Sequence, residues 1–364
     1  MFEERKELIR KVEALRGGRK LICFFNFDRV SHPRIPDLGL DISFDAEAKE
    51  AFFRLLKETG SQHFDVCLYT RGGDANGVWP LVSMIREFDA DFEVLVPFRC
   101  HSSGTLFALG GRRIVLTPLS ELSPIDPSTG NQFNPLDEGD TKQRLAISVE
   151  DVRAYRSFIL EQFGAEDSQA AQHLGPYLTR LTEAVHPLAL GNVDRVHRQI
   201  KQLARNLLNL HPVAGRDCDK VIEALTMRFW SHLHMVNRHE AREILSEEHV
   251  VFADPPLAGA LDDLLRAYED TFHLRRTFFL APFVGDEPQK DVRFIGGVLE
   301  SETWGYLHET KAVLRQHPVL PNGVQLQLPA GQPLPMIPGL SRNYQVDVSS
   351  RGWVRNKAPI GFDK

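Results

Sequence analysis

The sequence predicts an α/β protein, and three observations carry that expectation. Apolar strand-like runs recur early in the chain: "KLICFFNF" (20–27), "FDVCLY" (64–69), "FEVLVPF" (92–98) and "RRIVL" (112–116). Helix-like stretches with apolar residues three and four apart separate them. The 364 residues are 42% apolar and 25% charged, ordinary for a globular chain with a sizeable core. Strand–helix–strand alternation at this spacing calls for parallel pairing through right-handed crossovers.

Taken in order, Phe2, Leu8, Ile9, Val12 and Leu15 give a helix over 2–16, stopped by Gly17-Gly18. After the strand at 20–27, residues 28–44 form a loop. Asp45 then caps a helix that Gly60 ends. The strand at 64–69 runs into a tight turn, "TRGGDANG" (70–77). A helix follows over 78–88, with Pro80 in its first turn. "SSGTLFALGG" (102–111) is a short helix between the next two strands. "NQFNPLDEGDTKQ" (131–143) is a polar surface loop. Residues 148–163 and 167–210 are helical, the latter interrupted at Gly175-Pro176, His186-Pro187 and Gly191, and another helix covers 217–229. Asn237 and Glu240 form a capping-box pattern opening "HEAREILS", and 256–272 is a further helix. From about 275 the chain turns strand-like in "RRTFFLAPFVG", "VRFIGGVLE", "GVQLQLPAG" and "YQVDVSSRGWV". The expected organisation is an N-terminal helix (1–18), an α/β domain (19–272) with a helical insertion over about 145–230, and a β-rich C-terminal appendage of short strands (273–364).

Composition excludes several functions. The net charge is −6 and no basic run of five occurs, which argues against nucleic acid as partner. No run approaches the roughly eighteen apolar residues of a membrane span, and the charged amphipathic N-terminus is not a signal peptide. Cys23, Cys67, Cys100 and Cys218 are widely spaced with no CxxC pair, which fits a reducing cytoplasm without zinc or redox pairs. His232, His234 and His239 have no acidic or cysteine partner at ligand spacing, so no metal is expected, and no cofactor.

Two joints carry chemistry. Arg71-Gly72-Gly73 follows a strand, and paired glycines let a ligand approach free backbone N–H groups. Cys100-His101-Ser102-Ser103-Gly104 joins a strand to a helix, where the helix N-terminus favours developing negative charge. If the joints face each other, the Gly73 and Ser103 N–H groups form an oxyanion hole beside the Ser102 hydroxyl.

The residues about these joints resemble the serine dehydrogenase proteinase family, of the wider group that includes Clp protease, signal peptide peptidase and the crotonases. "RGGD" (71–74) resembles the group's "PGG" turn. "SSGTLFALGGRRIVL" (102–116) resembles the family's "SAGTLIALAADEIVM", and "SPIDP" (123–127) its "GPVDP". "SHLHMVNRHEAREI" (231–244) resembles a segment before a late helix. The likeness is discontinuous over roughly two thirds of the chain. It implies a spiral of ββα units, homo-oligomers, and peptide-bond hydrolysis by a serine without ATP. It makes Ser102 the nucleophile, with Ser103 the weaker option, and Gly72, Gly73 and Ser103 the oxyanion and substrate-binding residues. Arg71 replaces the group's proline, and either binds a substrate carboxylate or is a solvated charge.

The histidine that follows the serine in Clp protease is missing, so the base stays open. His232, oriented by Asp126, is one candidate and Lys142 another, with His101 a third that a strand-to-helix turn points elsewhere. The expected activity is a serine peptidase. Its rivals are a catalytically inactive binding or assembly module of the same fold and an acyl-CoA-handling crotonase relative.

Overall fold

The computed structural model describes residues 2–35, 38–126, 128–137, 144–163, 167–229, 231–319 and 341–356. The chain opens with α1 (Phe2–Leu15), whose Ile9 and Val12 are fully buried, and β1 (Lys20–Asn26). β1 is buried on both faces, which is why it reads as a continuous apolar run and not an alternating one. After β2 (Ser31–His32) comes α2 (Ala48–Thr59), closed by Gly60 at φ 64, then β3 (Phe64–Tyr69). There follow α3 (Val78–Arg86), β4 (Glu93–Val96), β5 (Arg99–Cys100), α4 (Ser103–Leu109), β6 (Ile114–Leu116) and β7 (Glu121–Leu122). β8 (Ser128–Thr129) and β9 (Ile147–Ser148) precede a helical stretch: α5 (Val149–Phe163), α6 (Asp167–Ala184), α7 (Pro187–Leu208) and α8 (Cys218–Glu223). β10 (Val236–Asn237), α9 (Arg238–Leu245), β11 (Val250–Phe252) and α10 (Pro255–Phe272) lead to β12 (Phe278–Phe279), α11 (Leu280–Val284), β13 (Gln289–Glu300), β14 (Gly305–Pro318) and β15 (Arg342–Arg355).

The architecture is mixed α/β around an eight-stranded sheet in the order β11-β6-β4-β3-β1-β13-β14-β15. The five strands from β11 to β1 pair in parallel, as the alternation implies, while β13, β14 and β15 continue the sheet antiparallel from β1. A small sheet of β10, β7 and β5 stands apart. Alternate residues of β1 feed the two cores. Ile22 and Phe24 pack with Leu81, Leu106 and Leu207 on one side; Leu21, Cys23 and Phe25 pack with Ile9, Leu261 and Tyr268 on the other. Among the described residues no helix is long and apolar enough to cross a membrane.

Four readings differ from the structure. Pro176 sits inside α6 and Gly191 inside α7, so only His186-Pro187 breaks the helical stretch. There the His186 ring accepts the Leu188 N–H and Pro187 takes the first helical position. "RRTFFLAPFVG" folds as a two-residue strand and a short helix. The C-terminal strands are long, not short, and β13 hydrogen-bonds β1 with Cys23 opposite Glu300. β14 escaped notice because its pattern is broken by His308, Glu309 and Thr310, all buried between two neighbours. "GVQLQLPAG" lies outside the described residues.

One ion pair ties α1, α10 and β13 together. Arg5, 3% exposed, forks onto Glu300 through Nε (2.9 Å) and Nη2 (3.0 Å), and the Tyr268 hydroxyl donates to the same carboxylate at 2.7 Å. Arg5→Ala leaves that buried carboxylate without its cation, and the expected loss is about 3–5 kcal/mol. Urea denaturation of wild type and variant measures it; a loss under about 1 kcal/mol contradicts this reading.

Candidate active site

Parallel pairing of β3 with β4, Val66 opposite Val94, brings both strands to an end on the same edge of the sheet. The register continues past the strands. The Thr70 N–H donates to Arg99 O (2.9 Å) and the His101 N–H to Thr70 O (3.1 Å), so the diglycine turn and the start of α4 leave side by side. The Ser103 hydroxyl then donates to Gly73 O at 2.7 Å and fastens one joint to the other.

The turn needs both glycines, for different reasons. Gly72 has φ 95, and a Cβ there would stand 2.7 Å from Ser102 Cβ. A Cβ on Gly73 would meet Phe44 O at 2.3 Å and Phe44 N at 2.5 Å. That closeness is the pairing itself: Phe44 N–H donates to Gly72 O (2.9 Å) and Asp74 N–H to Phe44 O (2.7 Å). In a parallel bridge of this form the middle residue's own N–H and C=O face the opposite side. Ser103 takes that C=O. The Gly73 N–H faces the same way and meets no acceptor among the described residues. The Ser103 N–H, at the first position of α4, is likewise free.

Ser102 is held at φ 51, ψ −113, a backbone conformation that costs a non-glycine residue about 1–3 kcal/mol. Two bonds keep it there: its N–H donates to Ser123 Oγ (2.7 Å), and its C=O accepts the Leu106 N–H (3.0 Å). Its side chain does not cap α4. It lines a cavity of about 390 Å³ shared with Gly73, Ser103, Asp126 and His232. Arg195 and Gln199 from α7 form the far wall, where the Gln199 amide donates to Asn76 Oδ1 at 2.6 Å.

The antiparallel pairing of β7 with β10 brings His232 to Asp126. Leu122 faces Val236, and four further steps along each chain reach Asp126 and His232. Asp126 is 2% exposed, and its Oδ1 lies 3.0 Å from His232 Nδ1. A carboxylate only accepts, so Nδ1 carries the proton and Nε2 keeps its lone pair. The bond to Asp126 raises the His232 pKa above its ordinary value against the opposing effect of burial. On Asp126, burial pulls upward, but the hydrogen bond from His232 and the nearby Glu150 outweigh it and its pKa is lowered. Glu150, 8% exposed, is pushed up to about 7, first by burial and then by Asp126. Asp126 Oδ2 and both Glu150 oxygens make no aligned hydrogen bond. The two carboxyls thus pull apart in pKa, Asp126 downward and Glu150 upward.

The structure thus brings Ser102, Ser103, Gly73, Asp126 and His232 to one cavity, with Gly72 packed behind Ser102. Arg71 is 57% exposed and sits 3.9 Å from Asp28, off the cavity, as a solvated charge. His101 turns its Nε2 to 3.3 Å from Glu121; burial, then Arg99 and Arg71, push it down to about 4. Lys142 lies outside the described residues. Burial raises the Cys100 thiol and keeps it inert. His234 stacks on Phe229 with Nε2 3.4 Å from Glu240, so its ring and that of His232 diverge. Sequence reasoning missed Ser123, Glu150, Arg195 and Gln199. A signal for Glu150 exists: Ser148 and Asp151 cap each other at the start of α5, which fixes the turn that carries Glu150.

No protein-family model matches the chain. The uncharacterized protein MJ1495 of Methanocaldococcus jannaschii is 26% identical over 127 residues, 35% of this chain and 43% of that protein, so the match spans less than half the relative's length. Among solved structures, a variant of the 1510-N membrane-bound stomatin-specific protease superposes with TM-score 0.31 at 13% identity, over 65% of this chain and 90% of that one. A second variant of that protease, in complex with a substrate peptide, gives TM-score 0.31 at 14% identity, over 65% of this chain and 85% of that one. Fits that loose carry no weight for the chemistry of this chain.

The pairing of His232 with Asp126 has a direct readout. In the wild type the carboxylate stabilises the charged imidazole and raises its pKa above the ordinary histidine value. Asp126→Asn removes that charge, and the midpoint falls. Proton NMR of the ring Cε1–H follows both, and a midpoint unmoved by the substitution would contradict the pairing.

Proposed function

We propose that the protein is a serine hydrolase that cleaves peptide bonds. One observation carries the reading: the Ser102 hydroxyl, the His232–Asp126 pair and the unused Gly73 N–H share a single cavity. Ser102 Oγ attacks the substrate carbonyl while His232 Nε2 accepts its proton. Asp126 stabilises the imidazolium formed and holds the tautomer. The oxyanion accepts from the Gly73 and Ser103 N–H groups, which need no reorganisation because the fold already presents them unpaired. The imidazolium then protonates the leaving amine, and a water molecule, activated by the same histidine, releases the acyl group.

The reading makes His232 the base in preference to Lys142 and takes Arg71 out of the reaction. It extends to a peptidase of the serine dehydrogenase proteinase type, built on ββα units. The protein works as a homo-oligomer in the cytoplasm, without ATP, metal or cofactor, on a peptide or protein substrate.

A fluorophosphonate probe tests the proposal. It labels the wild type, and Ser102→Ala abolishes the labelling. His232→Ala slows it by roughly 10⁴ or more, the scale of losing a triad member. The labelling rate rises with pH as His232 loses its proton, with a midpoint above the ordinary histidine value. Undiminished labelling of the Ser102→Ala variant removes Ser102 from the mechanism. An inert wild type favours the binding-module reading.

A further inference from the structure

The buried acids of this protein follow a rule, broken at one place. Eight carboxylates are buried among the described residues. Six have a lysine or arginine partner: Glu13 with Lys20, Asp65 with Arg16 and Arg19, Asp89 with Arg19, Glu93 with Arg16, Glu300 with Arg5, and Glu309 with Lys311 and Arg293. Asp126 and Glu150 have none among the described residues; they have each other and His232. Three of their four oxygens are buried without an aligned partner. Two ionised carboxylates side by side without a cation are strongly unfavourable, and a proton held between them removes the conflict.

We infer that Glu150 is a positioning residue that in its protonated form donates its hydroxyl to Asp126 Oδ2, extending the array to Ser102–His232–Asp126–Glu150, and that withdraws this support when it ionises. This rests on the hydrolase reading for its catalytic meaning, but not for the carboxyl pair itself. The fold aims Glu150 at Asp126: β8 pairs antiparallel with β9, Ser128 opposite Ser148, so two further steps along each chain reach Asp126 and Glu150, and α5, capped by Ser148 and Asp151, starts there with Glu150 buried. With Glu150 protonated, both Asp126 oxygens are engaged and the carboxylate plane is fixed behind the imidazole. With Glu150 ionised, a second negative charge holds the proton on His232 and the base is switched off. Other charges face this pair. Arg153 of α5 lowers the Glu150 pKa and sets itself against the switch. His197 of α7, whose own pKa is lowered first by burial, feels the Asp126 charge. His232 approaches from the segment before β10. The upward push on Glu150, to about 7 from burial and then Asp126, agrees with this arrangement.

The test uses the full chain with Glu150→Gln and Glu150→Ala. Glutamine keeps a donor toward Asp126 and cannot ionise; alanine keeps neither. Fluorophosphonate labelling of the alanine variant is expected to slow by roughly tenfold, a fraction of what a positioned base contributes, and glutamine to rescue most of that loss. In the glutamine variant the rising limb of the pH profile moves to lower pH. Proton NMR reads the same point without catalysis: the His232 midpoint falls in Glu150→Gln, because a nearby negative charge has been removed. A midpoint unmoved in Glu150→Gln, or glutamine as slow as alanine, overturns the inference. If Ser102 proves not to be the nucleophile, the NMR titration still decides whether Glu150 and His232 are linked. If alanine prevents folding, glutamine alone carries both measurements.

Discussion

The site depends on strand register. The parallel pairing of β3 with β4, prolonged by Thr70 and Cys100, obliges a diglycine turn and a helix start to leave the sheet as neighbours. The antiparallel pairing of β7 with β10, Leu122 opposite Val236, delivers an aspartate and a histidine to the same place from residues 106 apart in sequence. Because side chains alternate along a strand, a slip of one residue in either pairing would send the partners to opposite faces. The cavity therefore lies beyond the C-terminal ends of parallel strands, where open α/β sheets commonly bind ligands.

Within that frame, polar groups fall into those that hold and those left over. Phe44 fixes the turn from behind through Gly72 O and Asp74 N; Ser103 Oγ fixes it from the front through Gly73 O. Ser123 accepts the Ser102 N–H, and the Thr105 hydroxyl donates to Cys100 O below it while accepting the Ser123 N–H. These bonds converge on the backbone about residue 102 and resist relaxation of its positive φ. The groups they leave unused, the Gly73 and Ser103 N–H and the Ser102 hydroxyl, are those a carbonyl substrate requires. Positioning and reactivity are thus assigned to different atoms of the same few residues.

Much of this was legible in the sequence because it is local. The strands at 20–27 and 64–69 announce themselves by burial on both faces. The Asn237 capping box is present as the pattern implied, with both Asn237 and Glu240 bonded across the start of α9. The two joints could be recognised because glycine pairs and a Ser-x-Gly helix start are short signals. What could not be read depends on tertiary pairing. Nothing in "SPIDP" or "SHLHM" reveals that β7 and β10 align, so the choice among His232, Lys142 and His101 stayed open. The long strand at 305–318 was hidden because pairing on both sides, not an alternating pattern, satisfies its buried polar residues. Beyond the cap at Ser148 and Asp151, Glu150 carries no local signal, since the first turn of a helix favours acids for reasons of dipole alone.

The choice between a hydrolase and a module that merely keeps the fold turns on what the site costs. A non-glycine residue at φ 51 is destabilising by about 1–3 kcal/mol. Asp126 and Glu150 are buried together with no lysine or arginine partner among the described residues, an arrangement that is costly as well. A binding surface gains nothing from these features, and substitution by glycine, alanine or leucine would remove them. Strain and unpaired donors meet at one cavity with Asp126 on its wall and Glu150 beside Asp126, while the other buried acids among the described residues are matched with cations. That combination is one the proposed hydrolase would use and a binding module would not.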